Sequence, residues 1–352
     1  MPHAYLAVDF FFVLSGYVIA KSYESRLLDK MSLRQFLGVR LIRLYPLIFL
    51  GMLLGFGDCA VRYMYGASFG GSVPTLLEEL ALGLLLIPMM FGGATEIFPL
   101  NSPVWSIFYE LIANFFYASL IKHLTDRRIY VIMFAAALGL IYAGYSTAQT
   151  GHGPTGPDFV FGMARVLFSF FAGVMLFRMW QRGAWQNMPR VSGLWLGVAL
   201  LLLLLVPAFW MDWVYNLFAI FFLFPLIVLL GVNENTLPQR FIPPALWLGR
   251  ISYPLYVLHF PLFIYNRDGL LRGHHGAALV GIIAAATISV VIVSWLVLVA
   301  YDEPLRRRFR KTPVAPVLTR PPGQNRLSRV LAAQPNSSGG DIQKFPLVNN
   351  LN

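Results

Sequence analysis

Apolar residues run in long unbroken blocks along most of the chain. Nine of these blocks, at 5–22, 42–57, 104–122, 129–147, 160–178, 193–210, 213–231, 246–265 and 277–300, are long enough to cross a bilayer as helices. A tenth run, about 76–91, is short, starts beside Glu78 and Glu79, and ends in Pro88 and Gly92-Gly93. It reads as a helix that dips into the membrane or lies at its surface. The pattern predicts an all-α fold: a polytopic membrane helical bundle of about nine transmembrane helices plus one short re-entrant or interfacial helix.

Composition agrees with that class. Hydrophobic residues make up 57% of the 352 positions, charged residues only 12%, and mean hydropathy is +0.65, values that exclude a soluble domain. The net charge of +11 would suit nucleic acid, but the basic residues lie between apolar runs and in the tail, not on one face, so no nucleic-acid partner is expected. The single Cys59 excludes an internal disulfide framework and a cysteine-rich metal site, and no metal is expected.

The placement of the basic residues sets a topology. With 76–91 not crossing, the segments 21–43, 122–128, 178–192, 232–245 and 301–352 hold 22 of the 27 Lys and Arg, and the opposite segments hold 3. The positive-inside rule then puts the C-terminus in the cytoplasm, and nine spans put the N-terminus outside. A first span that begins outside has no basic flank before it, and Asp9 lies close to its start. The expectation is that a preceding cytoplasm-to-outside helix is absent from this chain. Residues 1–310 read as one membrane domain, and 311–352, rich in Pro, Asn, Ser, Gly and Arg, as a disordered cytoplasmic tail.

Polar residues inside the apolar blocks are the candidate chemistry, because an unpartnered polar group in hydrocarbon costs several kcal/mol in rough terms. Ser252, Tyr256 and His259 fall at i, i+4 and i+7 on one helix face. Ser106, Glu110, Asn114 and Tyr117 form a second stripe at spacings of four, four and three. Asp9, Glu110, Arg165 and His259 each come within about seven residues, roughly 10 Å, of the outer end of a helix, which allows all four to share one level. An acid, a base candidate and an arginine at matched depth suit a proton-transferring or anion-handling cavity lined by Asp9, Ser106, Asn114, Arg165, Ser252 and Tyr256, with His259 and Glu110 as the catalytic candidates. The alternative is that Arg165 pairs with Asp9 or Glu110 as a buried structural bridge. At the cytoplasmic entrance to the second span, Arg40 and Arg43 sit three apart, and their planar forks suit either phosphate oxygens or lipid headgroups.

The segments 8–19 (VDFFFVLSGYVI), 40–46 (RLIRLYP), 101–110 (NSPVWSIFYE), 165–173 (RVLFSFFAG) and 249–259 (GRISYPLYVLH) together resemble the ordered motif set of the membrane-bound acyltransferase 3 family. The resemblance covers nearly all of 4–310. It implies a ten-helix domain that transfers acyl groups, commonly acetyl from acetyl-CoA, to hydroxyls of extracytoplasmic or envelope carbohydrates. The family's paired arginines, implicated in donor handling, correspond to Arg40 and Arg43, and its tryptophan-serine-segment glutamate corresponds to Glu110. Two features depart from the family. Its first helix carries an arginine and a histidine treated as catalytic, a role that does not transfer to His3. Asp302 stands where a glutamate is usual.

The expectation is thus a multi-pass O-acyltransferase of the bacterial inner membrane, with acyl-CoA as donor substrate, no bound cofactor, and the bilayer and a carbohydrate or glycan acceptor as partners. Two other classes stay open: a transporter or channel for a small solute, and a catalytically silent truncated homologue.

Overall fold

The computed structural model describes residues 3–66, 72–90, 95–184, 188–232, 237–264 and 271–309. The region 311–352, expected as a disordered tail, lies outside the described residues. Among those residues the chain is built from helices and their connections: α1 (Ala7–Asp29), α2 (Leu33–Met64), α3 (Val73–Leu84), α4 (Val104–Leu120), α5 (Asp126–Thr147), α6 (Phe159–Gln181), α7 (Gly193–Leu205), α8 (Asp212–Phe218), α9 (Phe224–Val232), α10 (Ile242–His259), α11 (Gly276–Val297) and α12 (Glu303–Phe309). Single π turns join α8 to α9 and α11 to α12, and another extends α10 through Ile264. The fold is an all-α membrane bundle.

Seven helical segments among the described residues are long and apolar enough to cross a membrane: Ala4–Asp29, Leu33–Met64, Val104–His123, Asp126–Thr147, Phe159–Gln181, Asp212–Val232 and Gly276–Phe309. The expected count of nine is not reached, for two physical reasons. Within 193–210 the helix α7 stops at Leu205, because Val206 is extended (ψ 131°) ahead of Pro207, as a residue before proline prefers. Its 13 residues reach roughly 20 Å, short of a hydrocarbon core. In 246–265, Arg250, Ser252, Tyr253, Tyr256 and His259 dilute the apolar character of α10 below that of the seven. The run 76–91 gives α3, 12 residues capped by Ser72, too short to cross.

The bundle centres on α6, the most buried of the spans. Its main partner is α1. The two backbones approach so closely that a Cβ at Gly16 would strike the carbonyl of Phe170, and one at Gly173 the carbonyl of Val13. A small residue is needed at both crossings. On the other side, α10 and the turn after α11 are tied to the middle of α2 by two tyrosines: Tyr253 donates to the Leu44 carbonyl (2.6 Å) and Tyr301 to the Pro46 carbonyl (3.2 Å). The half containing α1, α4 and α6 and the half containing α10 therefore flank α2, and a cavity lies between them.

Candidate active site

The cavity has a volume of about 440 Å³. Its walls are the α1 face Val8, Phe11, Phe12, Leu14, Ser15, Val18 and Ile19, the α2 residues Arg40, Arg43 and Leu44, the α4 residues Ser106, Ile107 and Glu110, and the α10 residues Gly249, Ser252, Tyr253 and Tyr256. The α1 wall is thus apolar apart from Ser15, and the other walls carry charge and hydroxyls.

At the centre of the polar side stands Glu110. Its Oε1 accepts hydrogen bonds from Arg40 Nη2 at 2.7 Å and from Ser15 Oγ at 2.5 Å, so two donors converge on one carboxylate oxygen. Arg40 is only 4% exposed, so its charge is compensated by Glu110 and not by water. Arg43, one turn along α2, lines the same cavity, is exposed, and has no hydrogen bond or ion pair among the described residues. The two arginines are therefore not equivalent. One turn before Glu110 on α4, Ser106 Oγ lies 2.6 Å from Tyr256 Oη, and each is also within hydrogen-bond distance of the Pro103 carbonyl. Ser252 lines the cavity while donating back to the Gly249 carbonyl at 3.0 Å.

Four sequence-selected residues stand elsewhere. Asp9 and Arg165 form a two-pronged ion pair, Nη2 to Oδ2 at 2.6 Å and Nε to Oδ1 at 3.1 Å, with both side chains essentially sealed from solvent. Arg165 Nη1 also donates to the His152 carbonyl at 2.5 Å, and its guanidinium lies 5.4 Å from the Trp105 ring centre. This closed bridge is not on the cavity wall. Asp9 and Ser15 are six residues apart on α1, so they point to different sides of the helix, and Glu110 meets Arg40 in place of Arg165. Asn114 is fully buried one turn beyond Glu110, off the cavity wall, with no partner for its amide among the described residues. His259 stands one turn beyond Tyr256, also off the wall. Its Nδ1 faces two carbonyls, Tyr256 O at 2.7 Å and Leu255 O at 3.2 Å, so Nδ1 carries the proton and Nε2 is left as an acceptor.

Sequence reasoning passed over Ser15 and Tyr253. The signal for Ser15 was present, a lone serine between VDFFFVL and GYVI, but its partner lies 95 positions away and no spacing rule links them. A second buried network was also unforeseen: Glu24 accepts from Arg178 Nε (2.8 Å) and from Tyr117 Oη (2.7 Å), and Arg178 reaches Asp126 at 3.0 Å. It locks α1, α4, α5 and α6 together. At the end of α11, Asp302 is fully buried and paired with Arg306.

Seven helices able to cross a membrane among the described residues, with a charge-bearing cavity between α1, α2, α4 and α10, define a multi-pass membrane protein. A family model described as an acyltransferase domain matches residues 3–299, and the chain belongs to that family, acyltransferase 3. It is also similar to "Protein 2 in picA locus" of Rhizobium radiobacter, 33% identical over 158 residues, which is 40% of this chain and 78% of that protein. No solved structure matches the chain. An acyltransferase of membrane type is therefore the class to which the cavity belongs.

Proposed function

We propose that the protein is an O-acyltransferase that moves an acyl group, acetyl in the simplest case, from acyl-CoA to a hydroxyl of a carbohydrate or envelope glycan. It works in the bacterial inner membrane with its C-terminus in the cytoplasm, and residues 1–310 form its catalytic membrane domain. The observation that carries this reading is the pairing of an uncompensated arginine, Arg43, with an anchored carboxylate, Glu110, on one cavity of about 440 Å³.

A CoA donor brings phosphates and a thioester. Arg43 has its full guanidinium fork free for phosphate oxygens. Attack of a hydroxyl on the thioester needs a base, and Glu110, with Oε1 occupied by Ser15 and Arg40, turns Oε2 to that task. The proton taken by Glu110 passes to the departing CoA sulfur, which closes the cycle. Arg40 holds the carboxylate in place throughout. Ser106, Ser252 and Tyr256 supply hydroxyls along the cavity for an acceptor rich in hydroxyls, and His259, one turn beyond Tyr256 and off the cavity wall, holds Nε2 as a second proton acceptor.

The test is transfer of radiolabelled acetyl from acetyl-CoA to the glycan and lipid fractions of membranes containing the protein. Glu110→Gln should lower the rate by roughly 10²- to 10⁴-fold, the usual worth of a general base. Absence of labelled ester in every fraction of membranes containing the wild-type protein would sink this reading.

A further inference from the structure

Most helical serine and threonine hydroxyls with described partners satisfy themselves locally. Ser119, Thr287 and Ser289 donate to the carbonyls of Phe115, Ile283 and Ala285, four residues back, at 2.6, 2.8 and 2.8 Å, the ordinary resting place of a hydroxyl on a helix. Ser15 departs from this habit. Its proton points across the cavity to Glu110 Oε1 at 2.5 Å, and that carboxylate is in turn held by Arg40 at 2.7 Å. A nucleophile within hydrogen-bond reach of a base, with the base fixed by a third group, is the geometric signature of covalent catalysis. Ser15 also stands on the cavity wall beside Phe11, Phe12, Val18 and Ile19, apolar neighbours that lower the polarity around an ester formed there.

We infer that Ser15 is an acyl-accepting nucleophile, with Glu110 as its base and Arg40 as the residue that positions that base. The inference rests on the acyl-CoA reading above and adds an intermediate to it. In the first half-reaction Ser15 Oγ attacks the thioester carbonyl and Glu110 takes the hydroxyl proton. The carbon–sulfur bond breaks, and CoA leaves as the thiol with that proton, giving an O-acyl ester on Ser15. In the second, the acceptor hydroxyl attacks this ester while Glu110 takes its proton. That proton returns to Ser15 Oγ as the acyl–serine bond breaks. Nothing is oxidised or reduced, and no third reactant is needed.

A covalent intermediate permits a reaction that direct transfer does not: exchange of labelled CoA into acetyl-CoA with no acceptor present. The purified full chain in lipid nanodiscs is incubated with acetyl-CoA and radiolabelled CoA, and in parallel with labelled acetyl-CoA, acid-quenched and digested for peptide mass analysis. The expected result is CoA exchange together with one hydroxylamine-sensitive acetyl ester on the peptide containing Ser15. Glu110→Gln should slow both by roughly 10²- to 10⁴-fold, and Ser15→Ala should abolish both. Ser15→Cys, which retains a nucleophile, should still load, now as a thioester. If the wild-type protein transfers acetyl to membrane acceptors but shows neither exchange nor ester, the covalent step is overturned and the acyltransferase reading survives. If it shows no transfer, exchange or ester, both fall together.

Discussion

Arg40 and Glu110, 70 positions apart in the chain, meet in a 2.7 Å ion pair on the wall of one cavity, whereas Arg43, three residues after Arg40, faces the same cavity with no such partner among the described residues. Two arginines that look alike in sequence therefore do different work. The consequence is separable phenotypes.

Arg43→Ala should leave the protein folded and weaken acyl-CoA binding by about 1.5–3 kcal/mol, the worth of a charge-assisted hydrogen bond, with Lys a partial substitute because it lacks the fork. Arg40→Ala should instead remove a buried guanidinium, leave the half-buried Glu110 carboxylate without its ion-pair partner, and cost on the order of 3 kcal/mol of stability. Titrating acetyl-CoA binding and following thermal unfolding in detergent for both variants checks this. Equal loss of stability in the two would refute the division.

The Asp9–Arg165 pair is sealed on all sides, so breaking one partner should be far worse than removing both. Asp9→Leu or Arg165→Met alone should destabilise by about 3–5 kcal/mol, while the double variant Asp9→Leu, Arg165→Met should recover much of the loss. Folded yield by size-exclusion chromatography is the readout. Additive losses in the double variant would show that the pair does not act as a unit.

Glu96, in the connection before α4, has its carboxyl pushed above the usual range by burial, partly offset by a hydrogen bond from Ser102. A carboxyl whose folded pKa is raised binds its proton more tightly when folded. Its contribution to stability is therefore complete below the unfolded value near 4.5 and is lost as pH rises through the folded value. Glu96→Gln should flatten that fall, so its thermal midpoint should exceed the wild type's at neutral pH and converge with it in acid. A midpoint difference that does not vary with pH would contradict this.

Topology is open to direct measurement. After Cys59→Ser, a cysteine at exposed Gln149, between α5 and α6, should react with a membrane-impermeant maleimide in intact cells, and one at exposed Arg182, after α6, only after lysis. The basic-residue split motivates this orientation. The reverse pattern would invert it.

The sequence by itself determined the class of fold and most of the site's parts. Long apolar blocks dictate membrane-crossing helices because the bilayer core admits little else, and polar residues placed in such blocks mark the site because lipid penalises them. That logic reached Glu110, Arg40, Arg43, Ser106, Ser252 and Tyr256, all of which line the cavity. It counted spans less well, since an apolar block hides the break that Pro207 puts after α7, and the polar stripe of α10 lowers that helix's hydropathy below that of the seven spans. Which side chains meet was decided only by the tertiary structure. Depth along a helix is legible from sequence, but rotation about its axis relative to distant neighbours is not. The sequence allows Asp9, Glu110 and Arg165 one level, yet the close packing of α1 on α6 at Gly16 and Gly173 turns Asp9 into Arg165 and Ser15 towards Glu110. The partners that define the site are 70 and 95 positions apart, and only the packing of whole helices brings them within hydrogen-bond reach.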